Sequence, residues 1–405
     1  MKKIAIWIGG ILCGVLLTLV VQILVQKEVV PTGNTSALDV VANKDTASAV
    51  FENEYYESFD DKLNAVISTL EENYYEEIDK EALYEEAIRG LVAGVGDPYT
   101  SYFTQEEYNS FMEKMSGSYE GIGVVISYGE SKEVVVVVAP FKNSPGEKAG
   151  IKPGDRILSV DGTDVIGMDI DKIVELIKGD KGTDVLVSVW REDKEIELTI
   201  TRDVIEVPTI EYSLMDNQIG YIVMSGFDLI TEEQFKSALA DLEEQGAEGL
   251  ILDLRNNPGG YLHIVYAIAD ELLDKGKMVV YTEDKNGNRE ELITQDEESF
   301  EKPIVVLINE NSASASEILA GAIKDHELGT IVGKTSFGKG LVQGSIELED
   351  GSSIKVTVSK YFTPDGNYIN EVGIVPDVEV EADIETEQDE QLDKAIEVLT
   401  EMIER

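Results

Sequence analysis

Cysteine occurs once in this chain of 405 residues, at Cys13, so no intramolecular disulfide can form. An extracellular protein with a large enough core manages without disulfides, and the compartment stays open on this count. Histidine occurs twice, at His263 and His326, which leaves little room for imidazole catalysis or a His-ligated metal. A Ser-His-Asp triad remains open but thinly supported, and no metal or cofactor is expected. Basic residues are scarce as well: 33 Lys and Arg face 80 Asp and Glu, a formal net charge of −47. Affinity for phosphate backbones comes mainly from Lys and Arg, so nucleic acid is excluded as a partner. The soluble part is equally unsuited to an anionic membrane surface. The excess of acid reads as a strongly hydrated surface, with a cationic partner as the alternative.

What is present suffices for large cores. Hydrophobic residues make up 43% of the chain, and its length suits two or three domains. Lys2 and Lys3 precede an apolar run from Ile4 to Val25, broken only by Thr18 and Gln22. As a helix its 22 residues would span about 33 Å, enough to cross a hydrocarbon core of about 30 Å. The flanking lysines would stay inside and send the rest of the chain out. Residues 1–30 are therefore expected to be a signal anchor, a single-pass membrane helix that leaves the remainder extracytoplasmic. A cleavable signal peptide is the competing reading, although no A-x-A site follows closely. Cys13 sits mid-span after Leu12 rather than at a lipoprotein site. Residues 31–55, rich in small and polar types, read as a flexible linker.

The expected architecture is multidomain α/β (α+β). Residues 56–118 form a helical cap region: Phe59, Leu63, Val66, Ile67 and Leu70 recur at three- and four-residue spacing. A second helix is expected over about residues 80–95. The stretch Gly96-Asp97-Pro98-Tyr99-Thr100-Ser101-Tyr102-Phe103 then reads as a turn before a helix start at Thr104-Gln105-Glu106-Glu107. From 119 to 203 the pattern changes to short strands with one helix, Asp169 to Ile177. Over 204–382 strands (Tyr221–Met224, Gly249–Leu254, Ile304–Ile308) alternate with helices (Glu232–Gln245, Leu262–Lys275, Ser314–Ile323), the signature of an α/β layer. Residues 383–405 form an acidic amphipathic helix, and the acids between Glu379 and Asp393 need no role beyond solvation. No internal repeat is present.

Two glycine-containing segments carry the 119–203 region. Gly121-Ile122-Gly123-Val124 leaves backbone N–H groups open to a terminal carboxylate beside an edge strand, to which an extended peptide can add. The block Ser144-Pro145-Gly146-Glu147-Lys148-Ala149-Gly150-Ile151-Lys152-Pro153-Gly154-Asp155, followed by Val160-Asp161-Gly162, completes a pattern that resembles a PDZ domain. The resemblance implies a β-sandwich-like domain whose groove binds carboxyl-terminal tails at Gly121, Ile122, Gly123 and Val124. Ile173 and Ile177, or their neighbours, are expected to form the helix wall of that groove.

In the α/β region, the strand ending at Ile308 runs through Asn309-Glu310-Asn311-Ser312-Ala313-Ser314-Ala315-Ser316-Glu317 into a helix. A serine at such a helix N-terminus lies where amides and the dipole favour developing negative charge. The segment Gly333-Lys334-Thr335-Ser336-Phe337-Gly338-Lys339-Gly340 follows. Serine needs a base, and a lysine can serve if burial lowers its pKa from about 10.4 toward neutrality. Lys339, between Phe337 and Leu341–Val342, suits that requirement. Together with Asp253-Leu254-Arg255-Asn256-Asn257-Pro258-Gly259-Gly260, these segments resemble the carboxy-terminal processing proteases. The resemblance implies Ser314 as nucleophile, Lys339 as base 25 residues later and Gln343 as its orienting partner. It also implies Gly260 (or Gly259) with Ala315 as the oxyanion hole, and places Asp97-Pro98-Tyr99-Thr100 in the family's helical cap.

Ser312 and Ser316 are expected as turn and cap residues, Lys334 and Asp325 as surface residues, and His263 as a packed or exposed histidine. Glu317 reads as a complement to the helix N-terminus slightly better than as a part of the site. The expected activity is that of a serine endopeptidase that recognises protein or peptide carboxyl termini through the PDZ groove, which would gate the site. A non-catalytic tail-binding scaffold is the alternative. A carboxylate-based glycosidase is also weighed, but acids are too abundant for any pair to be informative. The amphipathic helices flanking the chain are candidate contacts for a homodimer or higher oligomer.

Overall fold

Ser58 accepts the amide of Asp61 and so starts α1 (Phe59–Asn73) in the computed structural model, which describes residues 58–129, 131–297, 299–381 and 388–405. The apolar run Ile4–Val25, the 31–55 linker and residues 383–387 lie outside the described residues. Among the described residues no helix is long and apolar enough to cross a membrane. The chain divides into two compact units, residues 1–81 and 82–405. Within the first, Lys80 pairs with Glu71 at 2.7 Å. Lys80 also begins α2 (Lys80–Ala93).

In the second unit, Ser101–Phe103 is not a turn but β1. Thr104 and Glu107 then close a reciprocal capping box that starts α3 (Gln105–Ser116), and Gly117 ends that helix in the left-handed region. The chain enters the next domain along β2 (Ser118–Gly121). It traverses β3 (Val124–Tyr128), β4 (Val135–Pro140), the short α4 (Pro145–Ala149), β5 (Arg156–Val160), β6 (Thr163–Asp164), α5 (Ile170–Ile177), β7 (Asp184–Arg191) and β8 (Lys194–Thr201). It leaves along β9 (Asp203–Glu206), antiparallel to β2. Strands β3-β4-β5-β7-β8, with β6 on β5, form a six-stranded sheet, and β2 and β9 form a separate two-stranded one. Val135, Val137, Ile157, Val185, Val187 and Ile173 are buried beneath it.

Asp155 of the glycine-rich block is fully buried and accepts both arms of the Arg191 fork at 2.6 Å, so its charge is paired in place. Strand β3 is the sheet edge, and α5 forms the opposite groove wall through Val174 and Ile177. Ile173, expected on that wall, points instead into the core, because its helical phase faces the sheet.

The core continues through β10 (Ile210–Leu214), β11 (Ile219–Met224), α6 (Thr231–Glu244), β12 (Gly249–Asp253), α7 (Leu262–Leu272), β13 (Met278–Asp284) and β14 (Arg289–Ile293). It ends with β15 (Ile304–Ile308), α8 (Ala315–Asp325), β16 (Gly329–Gly333), β17 (Leu341–Glu347), β18 (Ser353–Phe362), β19 (Val378–Glu379) and α9 (Glu390–Ile403). Six strands align as β10-β11-β12-β15-β16-β19, parallel from β11 onward. Both β12 and β15 are buried at every position, as parallel strands covered on both faces must be. Helices α6, α7 and α8 cover one face, and α9 packs Ala395 and Leu399 on the other. A second sheet is built on the long β18: β17 runs along one edge, and β1 and β13 lie end to end on the other. Loops leaving the carboxyl ends of β12, β15 and β16 therefore gather at one edge of the parallel sheet, where open α/β sheets place their ligands.

Candidate active site

Strand β15 delivers the chain into a tight turn, and Ser314 ends that turn at φ 56°, ψ −113° as the N-cap of α8. A non-glycine residue at that φ is strained, the geometry of a serine held up at a strand-to-helix elbow. The surrounding bonds hold it there. The Ser314 amide donates to Glu317 Oε2 at 2.8 Å, while its carbonyl accepts the amides of Glu317 and Ile318 and the Tyr361 hydroxyl at 3.2 Å.

Ser312 and Ser316 do more than finish a turn. Ser312 Oγ donates to the Leu254 carbonyl at 2.8 Å, and Ser316 Oγ to the Asn257 carbonyl at 2.9 Å. Both hydroxyls are buried, and together they staple the serine turn to the loop after β12. In that loop the Gly259 amide is committed to Asn257 Oδ1 at 2.9 Å. Gly260 bridges Phe227 through its neighbours, the Gly259 carbonyl and the Tyr261 amide, which leaves its own N–H directed away from Phe227. Of the two glycines in question, Gly260 is thus the one with an amide to offer. Only glycine fits there, since a Cβ would lie 2.3 Å from the Phe227 carbonyl oxygen.

Glu317 departs from expectation. Its side chain is fully buried and accepts four hydrogen bonds: Oε1 from Ser336 Oγ and the Gly338 amide, both at 2.6 Å, and Oε2 from the amides of Ser314 (2.8 Å) and Lys339 (2.9 Å). One carboxylate thus joins the backbone of the serine to that of the lysine. A cap at the helix start needs only the Ser314 bond. The other three exist because the loop after β16 comes to the same point.

Lys339, Gln343, Ser314, Gly260 and Ala315 line one cleft of about 470 Å³, with Tyr108, Phe111, Met112, Met115, Leu341 and Tyr361 among its other walls. The expected apolar cover for Lys339 is displaced: Phe337 is 55% exposed. Instead the Tyr99 ring stands 4.8 Å from the Lys339 ammonium. Burial pushes the Lys339 pKa below the usual lysine range, and repulsion from Lys355 adds to that, against weaker opposing attraction from Glu317 and Asp97.

Tyr99 and Asp97 belong to the stretch read as a turn within the helical cap. In the structure Asp97 Oδ2 accepts the hydroxyls of Thr100 at 2.5 Å and Thr357 at 2.6 Å, and Gln343 Nε2 donates weakly to the same Thr357 oxygen at 3.4 Å. Burial alone would raise the Asp97 pKa. Hydrogen bonds from Thr100, Thr357 and the Tyr99 amide outweigh it and hold the carboxyl below its ordinary value. The site therefore has a wall that sequence reasoning did not assign, and its signal was the Asp97-Pro98-Tyr99-Thr100 turn itself.

The remaining expectations fall outside the cleft. His263 is exposed against the Tyr261 ring, and His326 Nε2 meets the Met278 carbonyl at 2.7 Å. Lys334 pairs with Glu381 on the surface, while Asp325 accepts the amide of Asp365 at 2.9 Å. Gly123 and Val124 line the separate groove between β3 and α5, with Ile122 and Ile126.

The model of peptidase family S41 matches residues 218–380, that of a PDZ domain residues 136–191, and that of the activating protease CtpB N-terminal domain residues 17–107. The chain is 41% identical over 322 residues to the carboxy-terminal processing protease CtpA of Bacillus subtilis, an alignment covering 79% of this chain and 69% of that protein. It is 37% identical over 325 residues to CtpB of the same organism, covering 79% of this chain and 67% of that one. Among solved structures, the photosystem II D1 C-terminal processing protease aligns with 76% of this chain and 84% of its own at 34% identity, with a TM-score of 0.47.

Proposed function

The chain belongs to the carboxy-terminal processing proteases of peptidase family S41, serine-type peptidases, and on that premise we propose that it cleaves extracytoplasmic proteins near their carboxyl termini with a Ser314–Lys339 dyad. The observation that carries the dyad is Lys339 itself. It is a largely buried lysine set against a tyrosine ring in the cleft that Ser314 enters, with its pKa held down so that the neutral amine is accessible.

In the reaction, Lys339 Nζ takes the proton from Ser314 Oγ as the oxygen attacks the scissile carbonyl carbon. The negative charge that forms on the carbonyl oxygen accepts from the amides of Gly260 and Ala315, donors fixed before the reaction and therefore costing no reorganisation. Collapse breaks the C–N bond, and the leaving amine takes its proton from the Lys339 ammonium. Lys339 then takes a proton from water as the water attacks the acyl-enzyme carbonyl, and gives it to Ser314 Oγ as the ester C–O bond breaks, restoring the free serine and the neutral lysine. Gln343, held through Thr357 and Asp97, orients the lysine, and Glu317 fixes the serine and lysine backbones relative to each other.

The groove between β3 and α5 captures a free carboxyl terminus by strand addition, with the amides about Gly121–Val124 receiving the carboxylate. The apolar segment Ile4–Val25 would anchor the chain in a membrane and leave the cleft on the extracytoplasmic side. A serine-directed fluorophosphonate should label Ser314, and Ser314→Ala and Lys339→Ala should each abolish cleavage of an unfolded reporter protein. Activity that persists in either variant rejects the dyad.

A further inference from the structure

Among the described residues Lys355 has no carboxylate partner, on a protein that carries acids in large excess. Some lysines meet carboxylates, as Lys334 meets Glu381, Lys324 meets Asp377, and Lys236 meets Glu232 and Glu271, whereas Lys355 belongs to those that do not and is set apart from them by its place in the cleft. Among the described residues no carboxylate lies within ion-pair distance of Lys355. Its ammonium stands instead 5.4 Å from the ring centroids of both Phe103 and Phe111, which stack on one another at 5.2 Å. Those rings stabilise a cation from one side only and leave its hydrogen-bonding capacity for something else.

The strand register says where that capacity points. On the paired strands β17 and β18, Gln343 stands opposite Thr357 and Ser345 opposite Lys355. Side chains two apart on a strand share a face, so Lys355 and Ser345 continue the wall made by Thr357 and Gln343, about 7 Å further along at roughly 3.4 Å per residue. Gln343, Ser345 and Lys355 all line the cleft that Ser314 and Lys339 enter. An extended peptide rises by nearly the same increment per residue, so, with the reacting bond level with Gln343 as the proposed dyad requires, a substrate group about two residues away comes level with Lys355.

The neighbouring walls are apolar, from Met112, Met115 and Leu341. An anion entering there loses water and gains a strengthened attraction to the lysine. Lys339 does not compete for that anion, because its role requires the neutral amine.

We propose that Lys355, with Ser345 beside it, is a carboxylate subsite of the cleft. The protein would then favour substrates that carry an acidic side chain, or their own terminal carboxylate, about two residues from the bond cut. The proposal rests on the peptidase reading above and specifies its substrate chemistry.

The test uses the full chain and two peptide series. In the first, amidated peptides place Asp or Asn at each position around the cleavage site. In the second, otherwise neutral peptides end near that site as the free acid or the amide. An acid should be favoured at one position by about tenfold or more in kcat/KM, the lower end for a hydrogen bond to a charged group. Lys355→Met, which keeps the apolar stem, should bring that ratio to near one, and Lys355→Glu should invert it. Selectivity in the amidated series identifies a side-chain carboxylate, and selectivity confined to the second series identifies the terminus. Either supports the subsite. Equal cleavage of acid and neutral peptides, or a preference that survives Lys355→Met, overturns it. Affinities of the same peptides for Ser314→Ala and Ser314→Ala/Lys355→Met proteins read the subsite without turnover, so a protein that cuts nothing rejects the peptidase reading while the Lys355 inference is still decided.

Discussion

Glu317→Gln should cost both stability and activity although it changes one atom. The wild-type carboxylate presents two acceptor oxygens to four donors: Ser336 Oγ and Gly338 N on one, Ser314 N and Lys339 N on the other. An amide keeps one oxygen and turns an NH₂ toward the remaining pair of donors. Two hydrogen bonds are lost, and at least one buried N–H is left facing another donor. At about 1–3 kcal/mol for each unsatisfied buried group, the loss is of order 2–6 kcal/mol. If the amide turns its nitrogen to the Ser314 and Lys339 side, the serine elbow and the lysine loop lose their shared anchor. A displacement of about 1 Å at a reacting group costs roughly a hundredfold in rate. Urea denaturation followed by far-UV circular dichroism gives the stability, and kcat on a quenched peptide gives the activity. A variant that unfolds at the wild-type urea midpoint and turns over within twofold of wild type would refute the reasoning, because the clamp would then carry nothing.

Three further outcomes are expected. With Lys339 as the proposed base, its neutral amine is the active form and its pKa lies below the usual lysine range, so kcat/KM should climb with pH and level off above that pKa; Lys355→Met removes a repulsion and should move the rising limb to higher pH, read from a pH–rate profile. The same depressed pKa means that the unfolded chain binds the extra proton, so this group's contribution to stability rises as pH passes through its folded pKa toward the unfolded value. Asp97 has the opposite sign: held below its ordinary pKa, it stabilises above the unfolded carboxylate value and loses that contribution as pH falls through its folded pKa, so Asp97→Asn should flatten the acid side of a stability–pH curve. It should also lower kcat more than it raises KM, since Thr357 and Gln343 lose their anchor. Gly260→Ala should lower kcat by about 10²–10³, because the added Cβ collides with the Phe227 carbonyl and moves the amide proposed to meet the oxyanion; unchanged kcat removes Gly260 from that role.

Much of the molecule was legible because its signals are local. The capping box at Thr104 and Glu107, the buried strands 249–253 and 304–308, the helix beginning after Ser314 and the glycine-rich block around Asp155 each depend on residues within a few positions of one another. Serine at an elbow and lysine between glycines were readable in the same way. The orientation of a side chain about its own element was less so. Ile173 and Val174 are adjacent and similarly apolar, and the packing of α5 on the sheet decides which one faces the groove. Phe337 lies two residues from Lys339 yet faces solvent.

By itself, then, the sequence determined the elements, the order of the domains and the candidate nucleophile and base, because periodicity, caps and turn residues act over a few positions. The tertiary structure alone decided what surrounds them. Strand β1 pairs with β18, which sets Asp97 against Thr357 across 260 residues and Tyr99 against Lys339. Glu317 became a clamp because β16 lies beside β15 in the parallel sheet, so the two loops that leave their carboxyl ends meet at one carboxylate. Such meetings follow from strand order and register, which no local pattern encodes.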